Sequence, residues 1–219
     1  MAGGWGASLE RHSELIRQYC LAGPVIPVVE IDDPTLAKPL GEALLRGGVT
    51  VVEITLRTPA ALKAIEVLAT LEDLIVGAGT LLKFSDMADA KEAGANFGVS
   101  PGASAELIEA SHVENFPFLP GATTPSEVMS LLNHGFEVQK FFPAEMAGGI
   151  AMLKGLAGPF KTVRFCPTGG ITGSNSADYL ALTNVVCVGG SWVASRELIA
   201  KNAWSKIEEN ARFSRSLTS

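Results

Sequence analysis

Glu137-Val-Gln-Lys-Phe-Phe142, followed at once by Pro143-Ala-Glu145, sets a lysine inside a run of the β-branched and aromatic kind that forms a buried strand. An ammonium between Val138 and the Phe141-Phe142 pair is costly to bury alone. Lys140 therefore needs a charge partner, a route to water at the strand end, or loss of its proton. The last is chemically useful, because a neutral lysine is a nucleophile that forms Schiff bases with carbonyl substrates. A lysine that lays its stem in the core and lifts its head into water fits the same run. The rest of the chain has to separate these two readings.

Outward from this stretch, similar runs recur at Val25-Ile-Pro-Val-Val29, Val49-Thr-Val-Val-Glu-Ile54, Leu74-Ile-Val76, Asn96-Phe-Gly-Val99, Pro117-Phe-Leu119, Thr162-Val-Arg-Phe165 and Val185-Val-Cys-Val188. Together they make about eight strand candidates, roughly 20 to 25 residues apart, the repeat expected of a (β/α)8 (TIM) barrel. The segments between them carry helix signals. Asp33-Pro34 and Thr58-Pro59 each pair a capping side chain with a proline at the first helical position. Thr124-Pro-Ser-Glu127 adds a capping box, with Val128, Leu131 and Leu132 at helical spacing behind it. Gly94 and Gly135 stand where helices end. Strands alternating with helices argue for a parallel sheet. Their even spacing, and the lack of Gly-x-Gly-x-x-Gly after the first strand, favour a barrel over an open doubly wound sheet.

The chain reads as one domain, 1–219, with an extra leading helix over about 8–23, where Leu9, Ile16 and Leu21 sit among polar residues. The barrel follows over about 24–213, and the tail after Glu197 reads as a last helix closing near Phe213. With 47% hydrophobic residues in 219, the chain has ample material for a large core. Its formal net charge of −6 and the lack of any basic run argue against a nucleic-acid partner. Cys20, Cys166 and Cys187 are odd in number and widely spaced among apolar residues, so they read as buried thiols in a reducing compartment. The start lacks the basic and apolar regions of a leader, and no run reaches membrane-span length, so a cytoplasmic location is expected.

In a barrel of this kind the reactive groups sit at the C-terminal strand ends. Those positions hold Glu53, Arg57, Thr80, Ser100, the Pro120-Gly-Ala-Thr-Thr124 turn, Lys140, Thr168-Gly-Gly170 and Gly189-Gly-Ser191. On the second strand Val51, Glu53, Thr55 and Arg57 share one parity, while Val52, Ile54 and Leu56 share the other. If the apolar set faces the helices, Glu53 and Arg57 face the barrel mouth. There a carboxylate moves protons and a guanidinium grips a substrate carboxylate through parallel hydrogen bonds, unless the two serve only as structural ion pairs. The paired glycines after the seventh and eighth strands, with the Ser191 hydroxyl, suit a phosphate, although tight turns also require glycine. His12, His112 and His134 all fall on helices, so no metal cluster and no cofactor is expected.

The stretches VQKFFPAE (138–145), VVEITLRT (51–58), VGAGT (76–80), VSPG (99–102), RFCPTGGI (164–171) and VGGSW (188–192) resemble the 2-keto-3-deoxy-6-phosphogluconate (KDPG) and 4-hydroxy-2-oxoglutarate aldolases over nearly the whole barrel. The resemblance implies a metal-free class I aldolase of the Entner-Doudoroff pathway and a homotrimer. Its substrate would be a phosphorylated 2-keto acid, cleaved to pyruvate and glyceraldehyde 3-phosphate. It further implies that Lys140 forms the Schiff base, Glu53 transfers protons through water, and Arg57 with Thr80 holds the pyruvate carboxylate. Thr168 would then meet the hydroxyl region, and Gly169, Gly170, Gly190 and Ser191 would bind phosphate. Met146-Ala147 and the glycine-rich start depart from the usual pattern. A 4-hydroxy-2-oxoglutarate aldolase would keep Lys140, Glu53 and Arg57 without needing the phosphate loops. A metal-dependent phosphosugar epimerase would keep the loops but require strand-end His and Asp ligands, which this reading does not find, and a non-catalytic or isomerase-type phosphosugar-binding barrel would need no reactive lysine.

Overall fold

Strands and helices alternate along most of the chain because most of the short apolar runs are followed by a helical segment. The computed structural model describes residues 5–217, with side chains from residue 11 onward. The glycine-rich start at 1–4 and the side chain of Leu9 lie outside the described residues. Helix α1 (Trp5–Leu21) leads into β1 (Val25–Val29), a 3-10 turn (Pro34–Leu36), α2 (Ala37–Arg46), β2 (Val51–Thr55) and α3 (Ala61–Leu68). Next come β3 (Ile75–Gly79), α4 (Phe84–Glu92), β4 (Phe97–Val99), α5 (Ala105–Val113), β5 (Phe118–Leu119), β6 (Gly121–Ala122) and α6 (Pro125–Asn133). The rest is β7 (Val138–Phe141), α7 (Gly149–Ala157), β8 (Arg164–Pro167), α8 (Ser176–Leu180), β9 (Val188–Gly190), α9 (Arg196–Ala200) and α10 (Trp204–Ser216).

All strand pairings are parallel, which makes this an α/β fold. They form a six-stranded sheet in the order β5-β4-β3-β2-β1-β9 and a three-stranded sheet β6-β7-β8, rather than one continuous eight-stranded ladder. Between β5 and β6 the reason lies at Pro120, which has no N–H to give a ladder. Before it, Phe118 and Leu119 pair with β4; after it, Gly121 and Ala122 pair with β7, while the Pro120 carbonyl accepts from Lys140 N at 2.8 Å. Isolated parallel bridges Phe165↔Val185 and Thr168↔Gly189 connect β8 to the segment that runs into β9.

Side-chain parity sorts the core into two clusters. Val52, Ile54 and Phe141 pack in the cluster shared with helix residues such as Leu40, Leu44 and Ile65. Val51, Phe97, Leu119, Val138, Cys166 and Cys187 form a second cluster with Ile16 and Cys20 of α1. The leading helix therefore covers the inner cluster beside the first residues of β2, β4 and β7. Each large aliphatic side chain in these clusters contributes about 1.5–3 kcal/mol through burial.

Thr124 and Glu127 form the expected capping box, with Pro125 at the first helical position of α6. Asp33 caps the 3-10 turn through Thr35 N. Gly94 and Gly135 both adopt positive φ at helix ends. Three boundaries differ from expectation. The last strand, expected over 185–188, is β9 (Val188–Gly190), so Gly189 and Gly190 lie within the strand and only Ser191 follows it. Thr58 does not cap α3, which begins at Ala61 behind Ala60, because its hydroxyl donates instead to the Ile31 carbonyl. The tail is two helices, since Asn202 takes a φ of 53° between α9 and α10. Among the described residues, no helix is long and apolar enough to cross a membrane.

Candidate active site

Lys140 occupies the third position of β7, in register with Gly121 of β6 on one side and Cys166 of β8 on the other. Its ammonium donates to Glu53 Oε1 at 2.9 Å and to Oε2 at 3.2 Å, and both residues are only 4% exposed. The Phe142 ring lies 5.6 Å from the same nitrogen. The buried lysine thus has a charge partner, and the partner is the inward-facing carboxylate of β2. Removing either charge from such a pair costs about 3–5 kcal/mol, because the other is left desolvated and alone. Gly79 explains how the carboxylate fits. A Cβ there would lie 2.2 Å from Glu53 Oε1, so only glycine gives Glu53 room at this end of β3.

Arg57 stands two residues beyond β2. Its Nε donates to Thr80 Oγ1 at 3.1 Å and its Nη1 to Glu30 Oε1 at 2.9 Å. Thr80 follows β3 directly and has a φ of 63°, a left-handed conformation that a β-branched residue adopts only under constraint. Glu30 also lies 3.6 Å from Arg196 Nη1, and Arg196 binds Asp32 through Nε at 2.6 Å and Nη2 at 2.7 Å. Burial counts for little in this group; the hydrogen bond from Arg196 to Asp32 is the first cause that raises the guanidinium further. Arg57, Glu30, Arg196 and Ser191 line one cleft of about 230 Å³ with Val28 and Thr55. Val28 is the register partner of Glu53, so the cleft shares β1 and β2 with the Lys140–Glu53 pair, while neither Lys140 nor Glu53 lines it.

Thr168 is buried just past β8, with its Oγ1 3.4 Å from the Cys166 carbonyl and 3.9 Å from Cys166 Sγ. Gly169 and Gly170 both have positive φ, and the Gly169 carbonyl accepts from Glu145 N at 3.1 Å. Glu145 in turn accepts from the Tyr179 hydroxyl, whose pKa is pushed up by burial and then by that carboxylate. In β9, a Cβ at Gly189 would lie 2.3 Å from Thr168 Oγ1, and one at Gly190 would lie 2.7 Å from Trp192 Nε1. Packing alone therefore accounts for part of the glycine signal. Ser191 is exposed and shares the cleft with Arg57. Ser100 is fully buried, and its hydroxyl has no hydrogen-bond partner among the described residues.

Long-range contacts collect two residue sets that are scattered in sequence. Cys20, Cys166 and Cys187 are free and buried together. The Cys187 thiol is pushed well up by hydrogen bonds to Cys166 and then Cys20, while Cys166 is lowered first by the same contact with Cys187. The histidines also converge. His12 is lowered by burial, then by Arg11 and His112; His112 is lowered by burial, then by His134. Among the described residues, no group of three or more His, Cys, Asp or Glu side chains is placed to hold a metal ion. Glu30, Asp32, Arg196 and Gly79 were not picked out by the sequence reading. The available signal was position, since Glu30 directly follows the first strand.

The sequence model of the KDPG and KHG aldolases matches residues 16–210. The KHG/KDPG aldolase of Escherichia coli K12 is 44% identical over 191 residues, covering 87% of this chain and 90% of that one. The 2-dehydro-3-deoxy-phosphogluconate aldolase of Pseudomonas aeruginosa is 42% identical over 206 residues and 94% of both chains. A crystal structure of KDPG aldolase from Legionella pneumophila, with pyruvate captured as a covalent carbinolamine, superposes with a TM-score of 0.89. It is 46% identical and covers 91% of this chain and 98% of the other.

Proposed function

This chain belongs to the KDPG and KHG aldolase family, and we propose on that premise that it is a class I aldolase cleaving KDPG to pyruvate and glyceraldehyde 3-phosphate. The observation that carries this reading is the buried pair of Lys140 on β7 and Glu53 in the middle of β2. Glu53 is placed to take the ammonium proton, which leaves Lys140 as a neutral amine. Lys140 Nζ then attacks the C2 ketone, giving a carbinolamine, the species captured with pyruvate in the Legionella enzyme. Loss of water gives an iminium. When the C4 hydroxyl loses its proton, the C3–C4 bond breaks, its electron pair moves toward the iminium nitrogen, and glyceraldehyde 3-phosphate leaves. The enamine that remains is protonated at C3 with Glu53 as the proton source, directly or through water. Hydrolysis then frees pyruvate and restores Lys140.

Arg57, backed by Thr80, is the anchor for the carboxylate next to the reacting ketone. Ser191, in the same cleft, is the polar group for the phosphate, together with the backbone of Gly169, Gly170 and Gly190, and Thr168 faces the hydroxyl region. Two charged ends of one substrate suit a cleft lined by both Arg57 and Ser191. A non-catalytic barrel would give the Lys140–Glu53 pair no task. The test is direct: the purified chain, assayed with KDPG and with 4-hydroxy-2-oxoglutarate, should release pyruvate from KDPG, and a chelator should not slow it. Failure to release pyruvate from either substrate would reject the assignment.

The same reading extends to the whole molecule as a single (β/α)8 barrel in the cytoplasm. The bridges from β8 toward β9, and the unbroken chain from β5 to β6, support closure of the two sheets into one barrel. Exposed Leu82, Val113, Met129 and Met146 suit a homotrimer, in which different apolar patches meet and close after three copies.

A further inference from the structure

We propose that Glu30 is a positioning residue that sets the Arg57 guanidinium for the substrate carboxylate, and that Arg196, locked on Asp32, holds Glu30 for this task. The inference rests on the reading of Arg57 as the carboxylate anchor. A lone arginine on a loop, with its side chain 43% exposed, would sample many rotamers. Here two points fix the guanidinium. Thr80 takes Nε and Glu30 takes Nη1, and Thr80 is itself held in a constrained backbone conformation. Glu30 uses its second oxygen toward Arg196, which is clamped by two parallel N–H···O bonds to Asp32. The chain Asp32, Arg196, Glu30, Arg57, Thr80 therefore joins the ends of β1, β2 and β3 to the start of α9 around the cleft. A bidentate arginine–carboxylate clamp inside a network of charges holds a geometry that an isolated exposed pair does not, which is what a positioning role requires. Of the charged residues lining the cleft, Arg57 and Arg196 outnumber Glu30, so an incoming anion meets no net repulsion there.

The experiment measures the pyruvate concentration that half-saturates borohydride inactivation, together with KM and kcat for KDPG, in four variants. Glu30→Ala should raise the half-saturating pyruvate concentration and KM about fivefold to tenfold while kcat stays within twofold of wild type. Glu30→Gln keeps an acceptor oxygen for Arg57 and should recover most of that loss. Arg196→Ala should move the same constants in the same direction by a smaller factor. Arg57→Ala is the reference for losing the anchor. Unchanged or tighter pyruvate binding in Glu30→Ala, with Arg57→Ala weakened, overturns the positioning role and leaves Arg57 as the anchor. Unchanged binding in Arg57→Ala overturns the anchor and the positioning role together.

Discussion

Gly79→Ala should slow the aldolase about 100-fold without changing a single functional group. The new Cβ would lie 2.2 Å from Glu53 Oε1 and 2.7 Å from both Cδ and Cγ, so ordinary contact at 3.4 Å requires the carboxylate to move by about 1.2 Å. Glu53 is 4% exposed and cannot swing into water. It can only retreat from the added methyl, which stretches the 2.9 Å contact to Lys140. Misplacing a reacting group by about 1 Å costs on the order of 100-fold, equivalent to about 2.7 kcal/mol. Gly79 has an ordinary negative φ, so alanine adds no backbone strain there, and a melting curve checks that the fold survives. The assay follows exchange of pyruvate methyl protons with deuterated solvent, which isolates proton transfer at C3 from aldol cleavage. Glu53→Gln should show a loss of the same order or larger. Wild-type exchange in Gly79→Ala, with the fold intact, would refute the claim that Glu53 must sit where the structure holds it.

Ser191→Asp places a negative charge against the phosphate and removes a donor, so the KDPG KM should rise tenfold or more, about 1.4 kcal/mol at least. Cleavage of unphosphorylated 4-hydroxy-2-oxoglutarate should change little, and equal damage to both substrates would make the loop structural. His12 and His112 are both held below the usual imidazole range, so the unfolded chain binds more protons than the folded one in mildly acidic solution. Their contribution to stability is then complete above about pH 6.5 and lost as pH falls, against a background that includes Arg11, Glu109 and His134. Thermal melts at pH 7 and pH 5 should differ less in His112→Gln than in wild type. Light scattering at micromolar concentration should give three times the chain mass, and a monomer would count against the trimer.

Lys140 and Glu53 were legible because strand parity is local. Once VVEIT is a strand with Val52 and Ile54 against the helices, Glu53 has to point the other way, and the structure brings it to Lys140 across 87 residues. The α6 cap was equally legible, since Thr124, Pro125 and Glu127 carry their instructions within four residues. What stayed hidden depends on distant partners. Pro120 divides one strand segment between two neighbours, and nothing within Pro117–Ala122 says which residues pair with which. Asp32 and Arg196 lie 164 residues apart, so their pairing could not be read from spacing. The cysteines and histidines looked unrelated for the same reason. The glycine loops were read for their chemistry, whereas Gly189 and Gly190 are also demanded by Thr168 and Trp192, whose positions only the fold reveals.

Borohydride reduction in the presence of pyruvate, followed by peptide mass mapping, tests the central claim most directly. The account predicts one reduced pyruvate adduct per chain, on Lys140, with loss of activity in step with labelling and no labelling in Lys140→Gln. An adduct on Lys63, Lys91, Lys154 or any other lysine, or none on a chain that cleaves KDPG, would contradict it.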